Sequence, residues 1–227
     1  NCHYTRSRLL CIENTSNRGG GRVWPLERIR ELCDWAHSAG LATHLDGARL
    51  FNAVVATGIS AAEWCKSFDT VSVCFSKGLG APVGSAICGT KHHIDEAVRI
   101  RKVFGGGMRQ AGIIAAGALY ALENHVDRMA DDHRNAATFA DLIRDVPGLR
   151  VDPERVETNI IYFNVDPKLG TAAEFAARLK ARGLLVGPLY KQQIRAVTHL
   201  DVSEEQIERA GVIVREVAEE TLAGKRS

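Results

Sequence analysis

The feature that most constrains the fold is a regular alternation of strand and helix patterns over the first ninety residues. Short apolar runs, which predict buried strands, lie at "RLLCIE" (8–13), "LATHLD" (41–46), "TVSVCFS" (70–76) and "VGSAICG" (83–89). After the first run, Pro25 opens a segment of helical spacing that stops at Gly40, and a second helix is expected at 47–57. Strands that alternate with helices are typical of an α/β layer, so we expect a largely parallel sheet.

The second half of the chain shows longer helical segments and fewer strands. A helical region at 91–141 is followed by a strand at 158–165, a helix at 171–183, a strand at 194–200 and a helix at 203–223. We predict two domains, residues 1–130 and a small C-terminal α/β domain at 131–227. The small-residue stretch 111–122 is expected to be a buried, closely packed helix, either in the core or at a subunit interface.

Composition excludes several classes of partner. The 227 residues carry 29 basic and 27 acidic side chains, a net charge of +2, which is not the electrostatic footprint of a nucleic-acid binder. No apolar run approaches the roughly 20 residues that cross a bilayer, so no membrane partner is expected. The six cysteines contain no C-x-x-C pair. We therefore predict no metal site and expect a reduced, cytoplasmic setting.

Asp46, in "HLDGAR" (44–49), stands where a predicted strand ends and a helix begins. Ligands of open α/β sheets bind at that carboxyl edge. The alternative is that Asp46 only caps the following helix, which is a common role for aspartate. Arg49 follows by about one helical turn, and it either belongs to the same site or forms an ordinary ion pair with Asp46.

Lys77, in "CFSKGLGAPVG" (74–84), also follows an apolar strand. A phosphate-binding P-loop needs its lysine after the glycines and a hydroxyl after the lysine, whereas here the glycines follow Lys77. "GLGAPVG" does not fit the dinucleotide pattern G-x-G-x-x-G either, and Pro82 would break the helix which that pattern requires. An exposed surface lysine and an amine nucleophile remain as alternatives. A carboxylate that keeps a pyridine nitrogen protonated, with a lysine that holds an aldehyde carbon, is the arrangement of pyridoxal phosphate enzymes.

Six sequence segments, found in the same order along the chain, make the hypothesis of a pyridoxal phosphate site specific. The chain resembles the low-specificity L-threonine aldolases of the β-eliminating lyase group in "LLCIENTSN", "HLDGARLFNA", "CFSKGLGAPVGS", "RKVFGGGMRQAGIIAAGALYAL", "TNIIYF" and "RAVTHLDVS". The resemblance implies an α/β architecture of fold type I, like that of aspartate aminotransferase. Residues 1–130 would then be the C-terminal part of a large mixed-sheet domain that binds pyridoxal 5'-phosphate. It also implies retro-aldol cleavage of L-threonine or L-allo-threonine to glycine and acetaldehyde by a homodimer or homotetramer.

The resemblance also implies a role for each candidate site residue. Lys77 forms the Schiff base with the cofactor, and Asp46 pairs with the pyridine nitrogen. Arg49 lies near the phenolic oxygen of the cofactor and the carboxylate of the substrate. Arg195 is the main carboxylate clamp, for which the planar guanidinium is suited. His3 is expected to help position the substrate hydroxyl.

The sequence departs from the family pattern in two respects. Ser16 stands where the family motif E-N-T-H-N has a histidine, and serine cannot act as a base near neutral pH. Family members also carry an N-terminal third ahead of "RLLCIE", so we expect this chain to lack that part. Two alternatives follow: a related lyase that acts on another β-hydroxy amino acid such as phenylserine, or a truncated chain without catalytic activity.

Overall fold

The chain packs as two units in the computed structural model, which describes residue 3 and residues 5–224. The first unit contains the described residues up to Ser16 together with Val23–Asp127. The second contains Asn17–Arg22 and the residues from Arg128 onward. The boundary near residue 130 stays a prediction. The sequence pattern did not indicate that the short segment Asn17–Arg22 packs with the second unit.

The first unit is built on a four-stranded mixed sheet in the order β1-β2-β3-β4. Its strands are β1 (Leu9–Glu13), β2 (Ala42–Gly47), β3 (Thr70–Cys74) and β4 (Ser85–Gly89). β1, β2 and β3 run parallel, and β4 pairs antiparallel with β3. The largely parallel sheet expected from the strand–helix alternation is therefore present, with one antiparallel strand beside it.

The helices of the first unit include the two predicted between the strands and those of the helical region after residue 91, together with one short helix at Ala61–Cys65 that was not predicted. They are α1 (Leu26–Ser38), α2 (Leu50–Thr57), α3 (Ala61–Cys65), α4 (Lys91–Val103) and α5 (Gly112–Asn124). Ile29, Cys33 and Ala36 of α1, which recur at helical spacing, are fully buried, and Leu32 beside them is half-buried. α2 begins at Leu50 rather than at residue 47, because residues 47–49 form a turn that Asp46 stabilises.

The alternative in which the helix at 111–122 is buried in the core of the chain is wrong for the described residues, whereas packing at a subunit interface stays a prediction. Within α5 only Ala118 and Ala121 are buried, whereas the side chains of Ile113 and Tyr120 are 88% and 60% exposed. One narrow face packs closely, since a Cβ added to Gly117 would lie 3.2 Å from Cδ of Pro82. An apolar composition permits close packing but does not determine how many faces of a helix are covered.

The second unit has an antiparallel sheet in the order β5-β6-β8-β7. Its elements are α6 (Met129–Arg144), β5 (Leu149–Val151), β6 (Ile160–Val165), a 3₁₀ turn at Pro167–Leu169, α7 (Ala172–Ala181), β7 (Gly187–Tyr190), β8 (Gln193–Val197) and α8 (Glu204–Ala223). Ser203 caps α8 and forms a capping box with Gln206. β5 and β7 were not predicted, because they have only three and four residues and carry no clear alternation.

The core of the second unit lies between this sheet and its helices. Ile161 and Phe163 of β6 are fully buried, and Phe163 meets Phe139 of α6 edge to face at 6.4 Å between ring centroids. Each fully buried side chain of this size contributes about 1.5–3 kcal/mol relative to an exposed one. β6 is therefore held firmly, and with it the neighbouring strand β8. In the part of the chain that the structure describes, no helix is long and apolar enough to span a membrane.

Candidate active site

Asp46 lies at the carboxyl edge of the sheet in the first unit. Within the parallel ladders it pairs with Glu13 of β1 and with Ser72 of β3. Its side chain is half-buried, and its Oδ1 accepts the N–H of Ala48 at 3.0 Å. The N-cap position of α2 is occupied by Arg49, so the alternative in which Asp46 caps this helix is wrong. The short turn holds the carboxylate at the strand end instead.

Lys77 is exposed and follows β3 by three residues, at the same edge of the sheet as Asp46. A hydrogen-bonded loop holds its backbone: the N–H of Gly80 donates to the carbonyl of Lys77 at 2.8 Å, and the N–H of Ala81 donates to the carbonyl of Phe75 at 2.9 Å. Gly80 has φ +72°, a left-handed conformation that favours glycine. The glycines after Lys77 therefore form a tight turn rather than a phosphate cradle.

The loop that carries Lys77 is also attached to the end of α5. The carbonyl of Leu79 accepts a hydrogen bond from Nδ1 of His125 at 2.6 Å, and the side chain of Leu79 is 2% exposed. Because a carbonyl can only accept, Nδ1 of His125 carries the proton in this contact. Lys77 thus extends from a segment that is fixed on both sides, which suits a lysine that must reach one defined atom.

The other two candidate residues of the first unit are placed differently. Arg49 is half-buried at the N-terminal end of α2, directly after the Asp46 turn. His3 lies in a turn ahead of β1 and is exposed. The structure therefore brings Asp46, Lys77 and Arg49 to one edge of the sheet, while the role of His3 stays a prediction.

Two further polar residues at this edge were not identified from the sequence. Asn14 and Thr15 directly follow β1, and their side chains are 0% and 1% exposed. The N–H of Asn14 donates to the carbonyl of Asp46 at 3.0 Å, and Oδ1 of Asn14 accepts the N–H of Trp24 at 3.2 Å. Among the described residues, neither Nδ2 of Asn14 nor Oγ1 of Thr15 has a hydrogen-bond partner. A buried polar atom without a partner costs about 1–3 kcal/mol, so both atoms suit contacts with a bound ligand.

Arg195 belongs to the second unit, where it lies in the middle of β8 and is half-buried. It pairs with Tyr162 of β6 on one side and with Gly187 of β7 on the other. Its Nη1 donates to Oδ1 of Asn17 at 3.1 Å. Asn17 was not singled out from the sequence, although its place in the polar run after β1 was a signal. Among the described residues, no group of three or more His, Cys, Asp and Glu side chains could hold a metal ion.

Solved structures show which fold the chain has. The Leishmania major threonine aldolase superposes with a TM-score of 0.78 at 18% identity, over 95% of this chain and 63% of its own. The Sphingomonas wittichii serine palmitoyltransferase superposes with a TM-score of 0.70 at 19% identity, over 95% and 55%. The fold class expected from the sequence, part of the fold-type I architecture of pyridoxal phosphate enzymes, is confirmed.

Sequence comparison then identifies the family. The β-eliminating lyase profile matches residues 1–166, and the chain belongs to this family. It is 44% identical over 208 residues to the probable low-specificity L-threonine aldolase 2 of Arabidopsis thaliana, and 43% identical over 205 residues to the low-specificity L-threonine aldolase of Escherichia coli K12. These matches cover 91% and 90% of this chain, but only 58% and 59% of the relatives. The chain therefore spans less than two thirds of the length of these relatives.

Proposed function

We propose that this chain carries the lysine half of a pyridoxal phosphate site that cleaves L-threonine or L-allo-threonine to glycine and acetaldehyde. One observation carries the proposal: Asp46 lies near the end of β2 and Lys77 follows the neighbouring parallel strand β3, so both are at the same carboxyl edge of the sheet. The relatives from Arabidopsis thaliana and Escherichia coli, which are named for this activity, support the choice of reaction.

The residues at this edge fit the cofactor. When bound, pyridoxal phosphate supplies an aldehyde that condenses with amines and a ring that accepts electrons from Cα. The amine of Lys77 would hold the aldehyde carbon, and the carboxylate of Asp46 would keep a proton on the pyridine nitrogen. The buried Nδ2 of Asn14, which can only donate, and the buried hydroxyl of Thr15 supply hydrogen-bonding atoms that need a ligand.

Arg195 would bind the carboxylate of the substrate. A guanidinium offers two parallel N–H groups to a carboxylate, so Arg195 would fix the carboxylate of the amino acid and thereby the direction of its Cα–Cβ bond. Arg49, at the end of α2, would add positive charge on the side of Asp46. With the carboxylate held, loss of the proton from the β-hydroxyl and cleavage of the Cα–Cβ bond would release the aldehyde, and a proton added at Cα would complete glycine.

Covalent labelling tests the cofactor site directly. We expect that incubation with pyridoxal phosphate, reduction with borohydride and peptide mapping place the label on Lys77. The variant Lys77→Ala should lose the label and the yellow colour of the bound cofactor. The control Lys91→Ala, which removes an exposed lysine paired with Asp95 on α4, should keep both. A label spread over surface lysines, with no preference for Lys77, would contradict the proposal.

Product analysis tests the reaction and the substrate class. Glycine release should be measured with L-threonine, L-allo-threonine and phenylserine as separate substrates. A preference for phenylserine would favour a related lyase of the same group. Cofactor on Lys77 without glycine from any of the three would favour a chain without catalytic activity. The variant Arg195→Ala should keep the colour and weaken substrate binding, and an unchanged substrate affinity would refute the clamp.

We also infer a homodimer or homotetramer and a reduced, cytoplasmic setting. The apolar side chains of α5 that are exposed in the single chain, Ile113, Leu119 and Tyr120, support contact between subunits. The five cysteines that the structure describes are all free thiols, which supports the reduced setting. Light scattering after size exclusion chromatography measures the oligomer, and a monomer at micromolar concentration would contradict the first inference.

A further inference from the structure

A hydrogen bond connects Arg195 to the polar segment after β1. Nη1 of Arg195 donates to Oδ1 of Asn17 at 3.1 Å, across 178 positions of sequence. Both residues belong to the second unit. Arg195 lies on β8 between two strands, so its backbone is fixed, but its long side chain retains several rotatable bonds. The contact with Asn17 therefore determines where the guanidinium points.

Asn17 is itself held by the cross-strand neighbour of Arg195. The hydroxyl of Tyr162 donates to the backbone carbonyl of Asn17 at 3.0 Å, and Tyr162 pairs with Arg195 in the ladder between β6 and β8. Tyr162 is 3% exposed. The three residues form a closed arrangement in which Tyr162 fixes the backbone of Asn17 and Asn17 fixes the side chain of Arg195.

The rest of the Asn17–Arg22 segment is anchored independently. The buried hydroxyl of Thr158 donates to the carbonyl of Gly21 at 2.7 Å. Gly20 has φ +81°, and a Cβ at this position would lie 2.5 Å from Cδ of Pro153. The segment is therefore attached to the second unit without the help of the Asn17 side chain, which leaves the hydrogen bond to Arg195 available for positioning.

The acceptor on Asn17 is neutral, and this matters because Arg195 needs its positive charge to bind a carboxylate. Among the described residues, no ion pair joins Arg195 to a carboxylate, and its Nη1 contacts an amide oxygen instead. An amide holds the guanidinium in place without neutralising its charge. The full positive charge then remains for a substrate carboxylate, whereas an aspartate at the same position would compete with it.

We propose that Asn17 is a positioning residue that orients Arg195 for the carboxylate of the amino acid substrate. This inference rests on the proposed function in one respect, the identity of the substrate. The orientation of Arg195 by Asn17 is a property of the second unit alone, and it can be measured without cofactor or turnover.

Chemical modification measures the orientation. Phenylglyoxal reacts with the terminal nitrogens of arginine, so its rate at Arg195 can be quantified by mass spectrometry after chymotryptic digestion. Arg150, whose side chain is 75% exposed in the same unit, serves as the internal reference. The variant Asn17→Ala frees Nη1 and should raise the rate at Arg195 severalfold relative to Arg150. An unchanged rate would overturn the proposal.

A neighbouring residue provides the matched control. Arg18 lies in the same segment, and its Nη1 donates to the hydroxyl of Tyr190 at 3.2 Å rather than to any atom of Arg195. The variant Arg18→Ala should leave the rate at Arg195 unchanged. If Arg18→Ala raised that rate as much as Asn17→Ala does, the effect would come from general loosening of the segment, and the positioning role would be refuted.

Kinetics of the cofactor-loaded enzyme test the consequence for substrate. Asn17→Ala should raise KM for L-threonine roughly 2- to 10-fold, which is the cost of ordering one long side chain on binding, with little change in kcat. Asn17→Asp should raise KM further, because its carboxylate pairs with Arg195. A fall in kcat at constant KM in both variants would contradict positioning of the carboxylate. Wild-type protein that releases no glycine would refute the proposed function, while the phenylglyoxal rates would still decide the role of Asn17.

Discussion

Replacing Thr158 with valine tests how the segment that carries Asn17 is attached. Thr158 is fully buried, and its hydroxyl donates to the carbonyl of Gly21 at 2.7 Å. Valine has nearly the same shape but no donor, so the variant leaves the buried carbonyl without this partner. Such a loss costs about 1–3 kcal/mol. With a typical urea dependence for a small domain, a loss of about 2 kcal/mol lowers the unfolding midpoint by roughly 1 M.

The chain offers a matched control for this variant. Thr198 is also buried in the second unit, and its hydroxyl donates to the carbonyl of Asp132 at 2.6 Å. Thr198→Val should therefore destabilise the second unit by a similar amount, without touching the Asn17–Arg22 segment. Only Thr158→Val should also raise the phenylglyoxal rate at Arg195.

The positions of the tryptophans decide which spectroscopic signal can follow the unfolding of the second unit. All three tryptophans, Trp24, Trp35 and Trp64, belong to the first unit, so tryptophan fluorescence does not report the second. Far-ultraviolet circular dichroism, which also detects α6, α7 and α8, should be used to follow urea unfolding. A loss below about 0.5 kcal/mol for Thr158→Val, within the range of ordinary surface substitutions, would refute the attachment. Equal phenylglyoxal rates in the two variants would refute the link to Arg195.

Three further predictions concern the second unit. Burial lowers the pKa of His133 to about 4, although the charge of Asp132 acts in the opposite direction. The folded state should therefore lose about 3 kcal/mol of stability as the pH falls from 6.5 to 4. Urea unfolding across this pH range should show the loss, and the variant His133→Gln should show a much smaller one. Asp132→Ala leaves Arg128 without its buried partner and should lower the free energy of unfolding by about 3–5 kcal/mol, measured by urea unfolding. A change near zero would contradict burial of the pair. Ser203→Ala removes the cap of α8 and should lower the free energy of unfolding by about 1 kcal/mol, whereas Ser203→Thr should stay close to wild type. A larger loss for threonine than for alanine would contradict the capping role.

Much of the fold was predictable because its signals are local. The apolar runs of β1, β2 and β3 and the spacing of α1 act over a few residues, and the structure has these elements within a few positions of the predicted bounds. The order of strands and helices then requires parallel pairing, so the carboxyl edge of the sheet follows from the sequence. Asp46 and Lys77 were placed there for this reason alone.

Features that depend on distant segments were not predictable. The exposure of α5 depends on which surfaces cover it, and the small apolar residues of 111–122 are compatible with full or partial burial. The burial of Asn14 and Thr15 depends on the residues packed around the end of β1, whereas polar residues after a strand are typical of an exposed loop. Local patterns carry no information about such contacts.

The sequence by itself determined the alternation of strands and helices, the edge at which Asp46 and Lys77 lie, and the family to which the chain belongs. The tertiary structure alone decided that Asn17 meets Arg195. That contact depends on the register in which Tyr162 and Arg195 pair and on the packing of Asn17–Arg22 with the second unit. Register and packing arise from many weak contacts summed over residues far apart in sequence, so only the folded chain shows where the guanidinium of Arg195 is held.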